Sequence, residues 1–187
     1  MTTPTREQSL WLLDKYAGAT KQHLRQVGTI MEYFAKKLWE DVDYWWTVGI
    51  LHDIDRDHIE KDGVKHLKID FDAIAAEINL PEDIKADIRS HGHFLEWIIE
   101  KPDTLIRKYI NAVDELSGFI WAYFRMLPSQ DVMDIKPSSI RKKLKDASFA
   151  AGVDRGEALN CETMLSIPLE AFVEDIKLAL KWGNWVK

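Results

Sequence analysis

Between Thr20 and Leu38 the apolar residues Val27, Ile30, Met31, Phe34 and Leu38 recur at steps of three and four, with Arg25, Thr29, Glu32 and Lys36 on the other side. That is the period of an amphipathic helix buried along one face. The pattern holds along the chain. A first short helix is expected over about Arg6 to Tyr16, ending near Gly18. Asp43 suits the N-cap of a helix from Tyr44 to about Leu51 that is apolar nearly all round, as a central buried helix is. The charged stretch from Ile54 to Val64, with Gly63, reads as a loop. Helix resumes near His66 or Asp70 and runs to about Ile78, and Pro81 opens another carrying Ile84, Ile88 and His91 on one face. A long helix follows from Asp103 to about Met126, with Ile106, Ile110, Val113, Ser117, Trp121 and Phe124 inward. Beyond Pro128 and Pro137, either Ser138 or Ser139 caps a basic helix to about Lys145, and a last helix runs from Pro168 to about Trp182. No segment alternates with period two, so the expected fold class is all-α.

The chain's 187 residues suit one domain, read as a core over about 12–126 and a helical extension over about 130–187, with no flexible linker. A net charge of -6 argues against a general nucleic-acid binder, which needs a cationic surplus to neutralise phosphates. Cys161 is the only cysteine, so neither an internal disulfide nor a thiolate metal cluster can form. The start, Met1-Thr2-Thr3-Pro4-Thr5-Arg6, lacks the apolar core of a secretion signal, and no apolar run would span a bilayer. The expected location is cytoplasmic, away from membranes.

Against this background a few ionisable residues occupy places meant for apolar side chains. His23 and Asp114 lie on inward faces, His52-Asp53 ends the most apolar helix, and His91 repeats the pattern. A carboxylate or imidazole buried without a partner is costly, so each needs a hydrogen bond, an ion pair or a metal. One such histidine is more often a packed core residue; several on separate helices suggest convergence. Imidazole and carboxylate are the donors a divalent cation takes where thiolates are absent. Such a cation would lower the pKa of bound water and neutralise a phosphate oxygen.

His23, then Gly49-Ile50-Leu51-His52-Asp53, then Asp114 resembles the H…HD…D signature of the HD-domain superfamily, over roughly Leu12 to Ser117. The apolar run ending in Leu-His-Asp is its most specific part. The segments Asp114-Glu115-Leu116-Ser117-Gly118 and Ser139 to Ala150 are further similar to a small group of stand-alone HD proteins. The resemblance implies a single HD-like helical bundle with additional C-terminal helices. It also implies a phosphohydrolase using one or two divalent ions (Mn, Fe, Mg, Co, Ni or Zn) on a nucleotide-like phosphoester. In binuclear members two later histidines hold a second cation while the HD aspartate bridges; His66 and His91 are similar to those positions, with His93 a competitor for the latter. The implied ligand set is His23, His52, Asp53, His66, His91 and Asp114, with Asp53 central to catalysis.

The remaining positions carry two readings each. Asp55 either orients a ligand histidine or caps its loop. His58, in the charged stretch, reads as solvated. Lys136, Arg141, Lys142, Lys143 and Lys145 form the one strongly basic cluster, by default a solvated face. The sharper reading has Lys142, Lys143 or Arg155 binding substrate phosphate. Trp45 and Trp46 belong to the core, whereas Trp182 and Trp185 suit a homodimer interface. Two other functions stay open: a metal-stabilised module that senses a nucleotide without turnover, and a di-iron oxygenase on the same scaffold.

Overall fold

Thr5 opens the first helix with a reciprocal cap: its hydroxyl accepts from the Gln8 amide, and the Gln8 side chain accepts from the Thr5 amide. In the computed structural model, which describes residues 2–59 and 65–185, the chain is helical with no strand among the described residues. The described chain divides into two units, residues 1–110 and 111–187, a division that falls inside one helix.

The first unit contains α1 (Arg6–Tyr16), α2 (Lys21–Leu38), α3 (Val42–Leu51), α4 (Ile69–Ala76), α5 (Glu82–Arg89) and the start of α6 (Leu105–Phe124). Its axis is the α2–α3 hairpin. Val27, Ile30, Met31 and Phe34 are buried as their spacing requires, and α2 stops where Trp39 turns left-handed at φ 61. The cap of α3 is Asp41, whose carboxylate accepts from the Tyr44 amide at 3.0 Å, and not Asp43. Asp43 already lies inside the first turn, where its carbonyl accepts from the Thr47 hydroxyl.

The two helices approach very closely. A Cβ on Gly49 would lie 2.9 Å from the Gly28 Cα and 3.0 Å from the Val27 carbonyl oxygen, so only glycine fits that crossing. Tyr109, from the start of α6, packs on Phe34 and Trp45 with ring centroids 4.8 and 5.4 Å away. Trp45 and Trp46 are both core residues.

Residues 54–59 form turns, with Ile54 and Ile59 buried; the rest of the expected loop, residues 60–64 including Gly63, lies outside the described residues. α4 begins at Ile69, later than His66, because Leu67 adopts φ 59 and no right-handed helix can pass through it. Pro81 stands as the N-cap of α5, just ahead of its first turn, and α5 ends at Arg89, so His91 sits on the 3₁₀ turn Ser90–Gly92 that follows.

The second unit holds the rest of α6, a 3₁₀ turn at Val132–Asp134, α7 (Pro137–Lys143), α8 (Asn160–Thr163) and α9 (Leu169–Trp182). α9 packs its Phe172, Val173 and Ile176 side against α7 and the Val132–Asp134 turn. Ser138 and Ser139 do not cap α7: Pro137 occupies its first turn and Lys136 is the N-cap, without a side-chain bond. No helix among the described residues is long and apolar enough to cross a membrane.

Candidate metal centre

The hairpin decides where the first charged groups meet. α2 and α3 are antiparallel neighbours joined by a tight turn, so the beginning of α2 lies beside the end of α3. His23, in the first turns of α2, therefore faces His52, at the C-terminus of α3, with ring centroids 5.2 Å apart. His52 is fully buried, and its Nδ1 donates to the Gly49 carbonyl at 2.8 Å. A carbonyl only accepts, so the proton resides on Nδ1 and Nε2 turns to the site.

His91 is set in the same way: its Nδ1 donates to the Ile88 carbonyl at 2.6 Å, one turn back. His66 uses a carboxylate instead, with Nδ1 bonded to Asp55 Oδ1 at 2.9 Å. The His66 and His91 Nε2 atoms then lie 3.1 Å apart, and Asp53 Oδ1 is 3.2 Å from the first and 3.3 Å from the second. The other Asp53 oxygen, Oδ2, lies 3.9 Å from His52 Nε2 and 3.5 Å from Arg56 Nε. Two groups of donor atoms result, His23, His52 and Asp53, and Asp53, His66 and His91, with Asp53 common to both.

These residues fit a divalent cation. Two nitrogens and an oxygen at edges of 3.1 to 3.3 Å match the spacing of neighbouring ligands about 2.1 Å from one ion, roughly 3.0 to 3.4 Å. Two Nε2 atoms so close also need positive charge between them, supplied by a proton or a cation. In the metal-free protein His66 supplies it. Burial opposes its charged form, but the Asp53 and Asp55 carboxylates outweigh this and push its pKa up to about 9. Burial likewise pulls Asp53 upward, yet the imidazoles of His52, His66 and His91 outweigh it and hold its carboxyl well below the usual range.

A pH dependence follows. His66 has a folded pKa near 9 against 6.5 for the ordinary group, so its contribution is fully present below about pH 6.5 and is lost as pH rises through about 9. In the presence of a chelator, the protein is expected to lose on the order of 2 kcal/mol, several degrees of melting temperature, across that window. A chelated protein whose melting temperature is flat from pH 6.5 to 9 would contradict this protonation state.

Of the residues expected from sequence, five meet in the first unit: His23, His52, Asp53, His66 and His91. His93 joins neither group; it is half-buried beside Phe94. Asp55 places one oxygen on the His66 ring and the other on the Leu67 amide at 2.6 Å, so it both holds that histidine and caps the turn after it. His58 is exposed as expected, but its ring nitrogen also bonds the Tyr16 carbonyl at 3.1 Å. Arg56 and Trp97, whose indole donates to the His66 carbonyl, carry no signal in the sequence that singles them out.

The other candidates belong to the second unit. Asp114 is half-buried on α6, and its carbonyl accepts from Ser117 Oγ. The Arg155 guanidinium donates to the carbonyls of Asp146, Phe149, Ala150 and Val153, closing the loop that precedes it, and lies over the Phe119 ring. Lys143 pairs with Asp146 at 2.6 Å, and Arg141 pairs with Glu162 and Glu170. Lys136, Lys142 and Lys145 are exposed, as a solvated face requires. Trp182 is exposed and Trp185 half-buried.

The family model described as HD domain matches residues 20–118, more than half of the chain and the whole of the stretch from His23 to Asp114. No curated protein and no solved structure matches the chain.

Proposed function

The chain belongs to the HD-domain family, and from its site we infer a metal-dependent phosphohydrolase that cleaves a phosphomonoester or phosphodiester bond in a small, nucleotide-like molecule. One observation carries this reading: Asp53 is shared by both donor groups and turns one oxygen toward each. An aspartate so placed could contribute a ligand oxygen to a cation in either group, and divalent ions held there would supply the charge that a phosphoryl displacement needs.

When bound, divalent ions supply Lewis acidity toward the phosphoester and its attacking water. The chain's own residues hold that chemistry in place. His52 and His91 present Nε2 because carbonyls fix their Nδ1 protons, and His66 does so because Asp55 grips its ring. The signature adds Asp114 to this ligand set on sequence grounds alone. Arg56, exposed at its guanidinium and next to Asp53, is a cation available to a substrate phosphate. Of the three phosphate-binding candidates Lys142, Lys143 and Arg155, Lys142 is the exposed one, since Lys143 and Arg155 are engaged with their own loop. The net charge of -6 keeps polymeric nucleic acid outside the proposed substrates.

The test is a panel of phosphomonoesters and phosphodiesters, nucleotides and cyclic nucleotides included, assayed with the metal-loaded protein. Turnover of a nucleotide-like member is expected. Tight stoichiometric binding with no turnover anywhere in the panel would instead indicate a sensing module, and iron-dependent oxygen consumption an oxygenase.

A further inference from the structure

Four of the five site residues of the first unit owe their position to a helix or its immediate continuation. His23 lies within α2, His52 and Asp53 end α3, and His91 sits on the turn that prolongs α5. His66 has no such support. It precedes α4 in an irregular segment, and the residue after it, Leu67, is buried with φ 59, a conformation unfavourable to a branched side chain. A ligand in that situation must be held from outside.

The structure shows three external holds, each on a different part of the segment. Asp55 Oδ1 bonds the His66 ring at Nδ1, and its Oδ2 accepts from the Leu67 amide at 2.6 Å, fixing the left-handed turn. The Trp97 indole N–H donates to the His66 carbonyl at 3.1 Å. Lys68 closes back over that indole, its Nζ 3.8 Å from the ring centroid, so Trp97 cannot swing away without losing a cation–π contact. On the third side Leu67 lies against Gly92, where a Cβ would approach Leu67 Cδ1 to 2.9 Å; the neighbours of His66 and of His91 are thus in direct contact.

We propose that Asp55 and Trp97 are positioning residues for one half of the metal centre, fixing His66 as a ligand and thereby setting the affinity of the Asp53–His66–His91 group independently of the His23–His52–Asp53 group. This rests on the metal-centre reading above but not on hydrolysis. Ring, carbonyl and following amide of His66 are each held by a partner distant in sequence. Losing one hold leaves the fold of the helices intact and lets one ligand drift. His52 and His91, fixed by carbonyls of their own helices, are indifferent to the change.

The experiment is calorimetric titration of the chelator-stripped full chain with cobalt(II) alone, followed in parallel by the cobalt absorption spectrum. The parent chain is expected to bind in two distinguishable steps. Asp55→Asn should weaken one step by about 10- to 100-fold, the range for lost outer partners of a ligand histidine. Trp97→Phe, which keeps a ring beneath Lys68 and removes only the donor, should weaken the same step by a smaller factor. Both leave the other step unchanged, and His23→Ala shows the reverse selectivity. Asp55→Glu, which restores the carboxylate, should recover part of the loss. If Asp55→Asn does not fold, Trp97→Phe decides. Variants that bind cobalt as the parent does, or that lose affinity by one factor at every step, overturn the proposal. A chain that shows the selective loss yet hydrolyses no phosphoester keeps this inference and loses the hydrolase reading.

Discussion

Replacing Asp53 with alanine is expected to abolish phosphoester hydrolysis, by at least about a thousandfold, and to release bound metal from both donor groups. Each group has three members and Asp53 belongs to both, so one substitution leaves two histidine pairs and no bridging carboxylate. The same substitution should barely disturb the fold. In the metal-free protein Asp53 is a buried anion balanced by its surrounding imidazoles. Removing it takes away the charge that helps hold His66 protonated, so the metal-free chain gives up part of that stabilisation, on the order of 2 kcal/mol at most, while its helices stay formed. Circular dichroism, melting temperature and metal content measured on one preparation separate the two effects. Full metal content in a folded Asp53→Ala protein would show that Asp53 does not join the two groups.

Asp87→Ala is expected to do the opposite, lowering stability strongly with no direct effect on a ligand. Asp87 is buried on α5, where its Oδ1 accepts from Arg107 Nε at 2.7 Å and its Oδ2 from the Tyr44 hydroxyl at 2.8 Å. It ties α5 to α3 and to the start of α6 in one network. Removing the anion takes from the mostly buried Arg107 guanidinium its inward-facing carboxylate, while Asp103 and the Lys101 carbonyl meet it on the solvent side. Breaking such a pair from one end costs about 3 to 5 kcal/mol, because the remaining charge stays desolvated. For a chain of this length that is about 10 °C in melting temperature. Asp87→Asn, which keeps an acceptor for either neighbour, should cost less. A loss under about 1 kcal/mol for Asp87→Ala would mean that Arg107 finds water on its own.

The helices were legible wherever one face was apolar. The Val27, Ile30, Met31 and Phe34 stripe gave α2, and the unbroken apolar run before His52 gave a buried α3. Their ends were less so. Asp41 and Asp43 both suit a cap by residue type, and it is Asp41 whose carboxylate reaches the Tyr44 amide. His66 looked like the head of a helix because the residues after it are helical; the left-handed Leu67 that separates them depends on Asp55, twelve positions earlier in sequence.

Within the site the same division applies. His52-Asp53 stands out as charge at the end of the most apolar helix, a local signal. Trp97 meets His66 through a hydrogen bond across 31 positions, and Asp87, outside the site, has partners 43 and 20 positions away. Such residues read as ordinary surface or core until the fold brings their partners to them. The basic cluster shows the converse, since its charges were conspicuous in sequence while Arg141 and Lys143 are paired with acidic neighbours.

Phosphoester turnover is expected to depend on metal held at the Asp53 centre. The parent chain, stripped with a chelator and assayed on the substrate found in the panel, should be inactive. Activity should return as divalent metal is added back, reaching its limit near two ions per chain. A rigorously metal-free chain that hydrolyses the substrate at the full rate would show that hydrolysis needs no metal at the Asp53 centre.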